Sequence, residues 1–321
     1  MRPSGTGSTS DRWVFRGTAH GSRNIELHGN RFIVARTQKF FSFSKKIHSS
    51  EGVSPVAISI VTYKVLHAAL AAKALPCASS ILEFGEAEWY GDVPLPLFLD
   101  DIRKLVQDAN KRTALEKEME SIIERVARVP TEMQEKFTWR LAKIFYKVFF
   151  DCNETIAIDL NGTKASLRLD LNLPIDLGRQ FPVTINNGTA EHIFNFAQFF
   201  STMHQHTAPG GMMIHEGPLI NGWIDHGFVN FQPTLFFDIA AANHYEIESF
   251  YVAQIEPLLI HGLDSREEIL EMAKQGTIPQ NAIFFVILRK NVVSSNFKIP
   301  MQGIYAERIS ARAKSDWITL R

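Results

Sequence analysis

The sequence predicts an α/β protein with a doubly wound, Rossmann-like and mostly parallel seven-stranded sheet. Short apolar runs of strand length alternate with longer stretches of helical periodicity, which is the pattern of parallel strands joined by crossover helices. Glycine or polar turn residues follow most of the apolar runs, as expected where a strand ends. The seven predicted strands cover residues 79–85, 155–159, 165–171, 181–186, 212–215, 250–254 and 282–288.

Helical patterns precede the first strand and separate it from the second. Residues 54–75 have helical character and stop before a proline. Residues from about 93 to 150 form a helical insertion, which Pro130 interrupts and in which Thr131 and Gln134 form a capping-box signature. The helix before Pro130 is amphipathic, because one face carries Leu115, Met119, Ile122, Ile123 and Val126.

Three more helices are predicted between the later strands. They cover about 191–207, 233–242 and 265–274. The pair Gly210 and Gly211 ends the first, Asn243 suits the C-terminal cap of the second, and Gly276 ends the third. This alternation places the ligand crevice at the carboxyl ends of the strands, near the point where the strand order reverses.

Composition indicates a globular protein. The chain has 321 residues, of which 45% are hydrophobic and 21% charged, and this excludes global disorder, collagen and coiled coil. The longest apolar stretch contains Lys64 and Lys73, so it predicts a buried helix and no membrane span. Two cysteines form neither a metal motif nor a disulfide framework, which favours a reducing, cytoplasmic location.

Charge is distributed unevenly along a chain that is neutral overall. Residues 1–50 contain nine Lys or Arg against two acidic residues, so the rest of the chain carries a net charge of −7. We expect residues 1–50 to be a flexible basic extension, although organelle import through this leader also fits. Nucleic-acid binding is not favoured. The N-terminal helix would fall within 51–76, and the Rossmann-like domain would cover 77–321.

Polar or acidic residues follow successive predicted strands. Glu83 and Gly85 end the first strand, Asp159 ends the second, Asp170 the third, and Gly188 follows the fourth. All of these positions face the same crevice if the strands are parallel. A carboxylate there can accept both hydroxyls of a ribose, and a glycine lets the backbone approach a ligand closely.

These segments resemble the class I S-adenosylmethionine-dependent methyltransferases over about residues 77–290. Residues 187–195 and 225–230 are similar to a subgroup of methyltransferase-like proteins of unknown substrate. The resemblance implies S-adenosylmethionine as cofactor. Gly85 and Asp159 are 74 residues apart, whereas the ribose ligand of this fold commonly follows the turn by about 20 residues, so the helices between them are an insertion. The resemblance also implies a cofactor turn at Glu83, Gly85 and Ala87, a ribose site at Asp159 and Leu160, adenine contacts at Asp170 and Leu171, and Gly188 beside the reacting methyl group.

Histidines are the other candidate site residues. Five of the eleven lie between His192 and His226. We expect proton removal from the acceptor by His215, Glu191 or His192, in that order, because these residues follow strands and imidazole titrates near neutrality. Glu216 and His226 would bind the acceptor. The remaining two, His204 and His206, would be exposed at a helix end away from the crevice. No metal site is predicted, because the sequence contains no tight ligand motif.

Several alternatives remain open from the sequence. The chain could be a methyltransferase acting on a small-molecule acceptor, or a non-catalytic binding or scaffold protein that has lost cofactor chemistry. An NAD(P)-dependent oxidoreductase has the same architecture but requires a Gly-x-Gly-x-x-Gly turn that this chain lacks. A metal-dependent hydrolase is the fourth reading. A homo-oligomer fits as well as a monomer.

Overall fold

The computed structural model describes residues 57–128, 135–291, 296–303, 305 and 312, together with the backbone of two short N-terminal strands. These two strands, β1 (Val14–Gly17) and β2 (Arg23–Glu26), pair antiparallel. The rest of the predicted basic extension and the predicted capping box at Thr131 and Gln134 lie outside the described residues.

A seven-stranded sheet forms the centre of the molecule. Its strands are β4 (Ser80–Phe84), β6 (Glu154–Ile158), β7 (Phe181–Asn187), β8 (Thr207–Pro218), β9 (Tyr245–Gln254), β10 (Leu259–Gly262) and β11 (Ile283–Lys290). They lie in the order β10-β9-β11-β8-β7-β4-β6. The pairs β8–β7, β7–β4 and β4–β6 are parallel, and β11 runs antiparallel to both β8 and β9, so five of the seven strands share one direction.

The strand order reverses at β4. The chain leaves β4 to form β6 on one side and then crosses back to form β7 on the other side. Phe84, at the end of β4, therefore stands between Ile158 of β6 and Asn186 of β7. This arrangement is the topological switch point at which doubly wound sheets bind their ligands. The predicted Rossmann-like fold is confirmed.

Helices cover both faces of the sheet. They are α1 (Ile60–Ala71), α2 (Leu95–Leu105), α3 (Ala109–Val126), α4 (Glu135–Phe149), α5 (Phe196–His206), α6 (Pro233–Asn243) and α7 (Arg266–Gln275). Buried side chains of α1 to α4 form one core with the sheet, and those of α5 to α7 form a second core on the opposite face. Adjacent residues of a strand face opposite cores: Ile214 of β8 belongs to the first and Met213 to the second.

Local sequence explains where the main helices begin. The side chain of Ser59 accepts a hydrogen bond from the backbone N–H of Thr62 and caps α1. Asp108 caps α3 and Asn195 caps α5 in the same way. In front of α1, the two-residue strand β3 (Ala57–Ile58) pairs in parallel with β5 (Glu88–Trp89), so the start of α1 lies beside the segment that follows β4.

Three predicted elements are wrong in detail. The strand predicted at 165–171 forms only one bridge, between Leu167 and Ile158, and the seventh strand of the sheet is β10 at the opposite edge. The helix predicted from residue 191 is divided into a short 3-10 helix (Ala190–His192) and α5. Helix α6 ends with His244 in the left-handed conformation, while Asn243 donates its side-chain N–H to the carbonyl of Ile239.

Candidate functional site

The turn after β4 is joined to the end of β6 by one carboxylate. Gly85 has a φ of +86°, which glycine adopts without strain, and its N–H donates to the carbonyl of Ile158 at 2.9 Å. The next N–H, that of Glu86, donates to Asp159 Oδ2 at 2.8 Å. Asp159 Oδ1 accepts the backbone N–H groups of Asn161 at 2.6 Å and Gly162 at 2.9 Å. The two predicted cofactor segments therefore meet at the switch point.

Glu83 lies beneath this turn and is 1% exposed. Its carboxylate accepts hydrogen bonds from the Ala87 N–H at 3.1 Å and the Tyr146 hydroxyl at 2.9 Å, and it pairs with the Lys143 ammonium. Burial raises the pKa of Glu83, although Lys143 and the hydrogen bonds oppose the shift. The side chain thus holds α4 and the turn together from inside, and Ala87 is buried with it.

Glu86 lies in the turn after β4, and its carboxylate points toward the segment that follows β6. Glu86 Oε2 accepts the backbone N–H of Thr163 at 2.6 Å and the hydroxyl of Ser166, and Lys143 lies 3.5 Å from Oε1. Burial disfavours the charge, but these hydrogen bonds and Lys143 outweigh it and lower the pKa of Glu86. The single ammonium of Lys143 and these hydrogen bonds therefore offset part of the negative charge of Glu83 and Glu86.

The other predicted cofactor residues lie beyond the end of β6. Leu160 is 60% exposed at the edge of the crevice. Asp170 is exposed and accepts both the backbone N–H and the side-chain N–H of Asn172, at 2.9 and 2.8 Å. Leu171, in contrast, is buried in the core on the α5 side of the sheet, so only its backbone is available to a ligand.

Asn186 shapes the turn after β7. Its side-chain oxygen accepts the backbone N–H groups of Thr189 at 3.2 Å and Ala190 at 3.0 Å, which starts the 3-10 helix. Gly188 has a φ of +85°, and its N–H donates to the carbonyl of Glu216 at 2.9 Å. This turn directs the side chain of Glu191 back across the carboxyl ends of β7 and β8.

Glu191, His192 and His226 come together at this end of the sheet. One ligand atom from each lies within 4.8 Å of the others, and His226 Nε2 is 3.8 Å from Glu191 Oε1. The two imidazole rings have centroids 5.0 Å apart. Burial, together with the neighbouring His226, lowers the pKa of His192, while Glu191 opposes that shift. The cluster joins residues up to 35 positions apart in sequence.

A strained loop carries His226 to Glu191. Asn221, Trp223 and Asp225 all have φ between +56° and +60°, which is costly for residues other than glycine. The indole N–H of Trp223 donates to the carbonyl of Ala282 at 2.9 Å, which anchors the loop to the start of β11. Within the cluster, the carbonyl of Glu191 accepts the N–H of Phe228 at 2.8 Å.

Glu216 faces the other side of the sheet, toward the start of α1. Its carboxylate accepts hydrogen bonds from the hydroxyls of Ser59, at 3.0 Å, and Thr62. Burial raises the pKa of Glu216 to about 7, against the effect of these two hydroxyls. Asp92 lies close enough to add to this shift, and burial raises the pKa of Asp92 itself to about 6. A carboxyl group that titrates near neutrality can exchange a proton with a ligand.

The expected orientation of three histidines is wrong. His215 is 1% exposed and packs between the rings of Phe200 and Phe236, each with a centroid 5.5 Å away, so it does not face the crevice. Burial lowers the pKa of His215 to about 3. His204 and His206, expected to be exposed, are buried: the ring of His206 accepts the N–H of Leu177 at 3.0 Å, and that of His204 contacts the Tyr245 hydroxyl.

Sequence reasoning missed the residues that support the site from other elements. Lys143 and Tyr146 come from the helical insertion, and Ser59 and Thr62 come from the start of α1. No local pattern marks any of them as part of a site, because each is an ordinary residue on a helix or at its cap. The one available signal was the position of the helical insertion between the turn after the first strand and the ribose segment.

Among known proteins, no family model matches this chain. No curated protein matches it. Solved structures resemble it. The N-methyltransferase NodS from Bradyrhizobium japonicum WM9, in complex with S-adenosyl-l-homocysteine, is 9% identical, covers 73% of this chain and 89% of its own, and has a TM-score of 0.37.

Two further structures are similar in the same way. The 1,6-didemethyltoxoflavin-N1-methyltransferase from Burkholderia thailandensis, with bound 1,6-didemethyltoxoflavin and S-adenosylhomocysteine, is 12% identical, covers 71% of this chain and 76% of its own, and has a TM-score of 0.34. A SAM-dependent methyltransferase from Archaeoglobus fulgidus is 16% identical, covers 47% and 81%, and has a TM-score of 0.31. At these identities and TM-scores the similarity assigns no residue and no acceptor to this chain.

Within the part of the chain that the structure describes, no helix combines the length and apolarity needed to cross a membrane.

Proposed function

We propose that this protein binds S-adenosylmethionine at the carboxyl ends of β4, β6 and β7 and transfers its methyl group to a small-molecule acceptor. The observation that carries the proposal is the junction of Gly85 and Asp159 at the switch point of the sheet. A positive-φ glycine turn beside a carboxylate offers close backbone approach and a hydroxyl acceptor within one crevice.

The residues at the crevice fit this cofactor. A carboxylate has about four acceptor positions, and Asp159 uses three of them for backbone N–H groups, so one remains for a ribose hydroxyl. Leu160 and Asp170 stand exposed beside it, where an adenine ring would lie. Lys143 offsets part of the charge of Glu83 and Glu86, which reduces the repulsion that the carboxylate of the cofactor would otherwise meet.

Methyl transfer would take place between this crevice and the ends of β7 and β8. The cofactor supplies an electrophilic methyl group on a sulfonium. The acceptor attacks that carbon with a lone pair, the electrons of the sulfur–carbon bond stay on sulfur, and the proton of the acceptor passes to Glu216. The raised pKa of Glu216, about 7, suits that exchange near neutral pH. Most of the acceleration would come from holding the two reactants together.

We assign Glu191, His192 and His226 to the acceptor side of the site, together with Glu216. All four lie at the carboxyl ends of β7 and β8 or on the loop that reaches them. Proton removal by Glu191 or His192, which the sequence predicted, stays a prediction; in this proposal both side chains contact the acceptor and Glu216 receives its proton. His215 is left out of it, since its ring lies within the aromatic core.

Calorimetric titration of the purified chain with S-adenosylmethionine and S-adenosylhomocysteine tests the proposal. We expect dissociation constants in the micromolar range, about −8 kcal/mol. Asp159→Asn keeps the shape of the side chain but loses its charge, and should weaken binding about 10- to 100-fold, the value of a hydrogen bond to a charged group. The matched control is Asp176→Asn, because Asp176 also accepts a loop N–H, that of Gly178 at 2.8 Å, in the segment that leads into β7.

The two variants separate the outcomes. Unchanged affinity in folded Asp159→Asn would remove the ribose assignment. Absence of binding of either compound by the folded wild-type chain would overturn the methyltransferase proposal and favour the scaffold alternative.

A further inference from the structure

We propose that Glu191, His192 and His226 form a binding site for one divalent first-row transition metal ion, of which Zn²⁺ is the representative. The site goes beyond the methyl transfer proposed above, because binding of the ion requires only these three side chains. Only the possible use of the ion by the acceptor rests on that proposed function.

The geometry of the three side chains is close to that of a metal site. Their ligand atoms lie within 4.8 Å of one another, and His226 Nε2 is 3.8 Å from Glu191 Oε1. Zinc binds imidazole nitrogen and carboxylate oxygen at about 2.0 to 2.2 Å, which places neighbouring tetrahedral ligands about 3.3 Å apart. Small side-chain rotations therefore suffice to bring the three ligands around one ion.

Two buried polar atoms in this cluster lack hydrogen bonds. Among the residues that the structure describes, neither Glu191 Oε2 nor His192 Nε2 has a partner, and the side chain of Glu191 is only 2% exposed. An unpaired buried polar atom costs free energy, and an unpaired buried carboxylate costs more. A cation held between these atoms would remove that cost. The expectation from sequence, which predicted no metal site, missed the cluster because its members do not form a local motif.

Glycines leave room around the carboxylate. A Cβ at Gly188 would lie 3.6 Å from Glu191 Oε1, and a Cβ at Gly217 would lie 3.4 Å from Oε2. A Cβ at Gly227 would come within 2.8 Å of the Glu191 carbonyl, so a side chain there would push the His226 loop away. Larger residues at these positions would crowd the space in which an ion must sit.

The ligand types indicate which ion the site would take. Two imidazoles and one carboxylate suit zinc or ferrous iron, whereas magnesium and calcium prefer oxygen ligands. Three protein ligands leave at least one coordination position open, which is typical of catalytic metal sites. Because the site lies at the ends of β7 and β8, that position would point to where the acceptor is proposed to bind.

Metal binding by the full chain tests the site without any assay of methyl transfer. The protein is freed of metal with a chelator and then titrated calorimetrically with Zn²⁺, with and without excess Mg²⁺. We expect one equivalent to bind tightly and Mg²⁺ to leave the affinity unchanged. Glu191→Gln and His226→Ala should each weaken binding at least 10-fold. The matched control is His261→Ala, because His261 is an exposed histidine on β10.

The loss of Zn²⁺ binding must be specific to the side chains of the proposed site. Circular dichroism checks that each variant is folded, and Glu191→Gln preserves the volume of the side chain. No binding of Zn²⁺ to the wild type, or equal losses in His226→Ala and His261→Ala, would overturn the site. In that event S-adenosylmethionine titration of the same sample still reports separately on the proposed function, so failure of one proposal does not count as failure of the other.

Discussion

Lys143 is expected to be the residue outside the crevice on which the cofactor turn most depends. It pairs with Glu83, which is 1% exposed, and lies 3.5 Å from Glu86. Lys143→Met keeps the apolar stem but leaves Glu83 as a buried charge without its partner. Breaking a buried ion pair from one side costs about 3 to 5 kcal/mol. Since the side chain of Lys143 is itself 26% exposed, we expect the free energy of unfolding to fall by an amount at the lower end of this range, about 3 kcal/mol.

Urea denaturation followed by circular dichroism measures this loss. With a slope of about 3 kcal/mol/M, the midpoint should fall by about 1 M. The control is Lys147→Met, one turn further along α4 and likewise half-buried, for which no ion pair is found among the described residues. The free energy of unfolding of Lys147→Met should stay within about 0.5 kcal/mol of the wild-type value. Adding Glu83→Gln to Lys143→Met should restore part of the stability, because the side chain at position 83 then carries no charge that lacks a partner.

The pH dependence gives a second readout of the same pair. Burial already raises the pKa of Glu83 in the folded protein, and removal of Lys143 removes the main opposing effect, so the pKa rises further. A carboxyl group whose pKa is higher in the folded than in the unfolded state loses stability as pH rises between the two values. The deficit of Lys143→Met should therefore grow with rising pH. A deficit equal to that of Lys147→Met, or independent of pH, would refute the reasoning.

The adjacent residues His215 and Glu216 should respond to pH in opposite ways. The pKa of Glu216 is raised from 4.5 to about 7, so ionisation of this group at higher pH destabilises the folded wild type. Between about pH 5 and 8, the free energy of unfolding of Glu216→Gln should therefore rise by about 3 kcal/mol relative to that of the wild type. The pKa of His215 is lowered from 6.5 to about 3, so below pH 6.5 the unfolded chain binds a proton that the folded protein does not. The free energy of unfolding of the wild type should therefore fall by about 2 kcal/mol between pH 6.5 and about pH 5, and His215→Leu should not show this fall. Urea midpoints across pH check both. Parallel pH profiles of variant and wild type would contradict either assignment.

Periodicity predicted most of the fold because the strands of the central sheet are buried runs bounded by turns. Periodicity failed at the two edges of the sheet, where the strands are less buried. The predicted strand at 165–171 pairs only through Leu167, since Lys164 and Arg168 on either side are not buried and Arg168 instead bonds to backbone carbonyls at the end of β6. Strand β10 was missed because its four residues are at least partly exposed and carry little apolar pattern. Its place is set by pairing with β9, which the local sequence does not encode.

The site was predictable to the level of strand ends but not to the level of side-chain direction. Parallel strands share their carboxyl ends, so Gly85, Asp159 and Gly188 could be placed together from sequence alone. Along β8, however, both faces are buried, and no alternation of polar and apolar residues tells which neighbour points where. His215 therefore looked as suitable as Glu216, although one faces the aromatic core and the other faces α1.

The distribution of charge links the two proposals. On the proposed cofactor side, Lys143 offsets part of the charge of Glu83 and Glu86. On the acceptor side stand the carboxyl groups of Asp92, Glu191 and Glu216, and for none of them is an ion pair with lysine or arginine found among the described residues. Where these groups are ionised, they attract cations and repel anions. If no metal ion binds, we expect the site to favour a neutral or cationic acceptor. If Glu191, His192 and His226 hold a metal ion, its charge reverses that preference, and an acceptor bearing an anionic oxygen could be bound at the open coordination position.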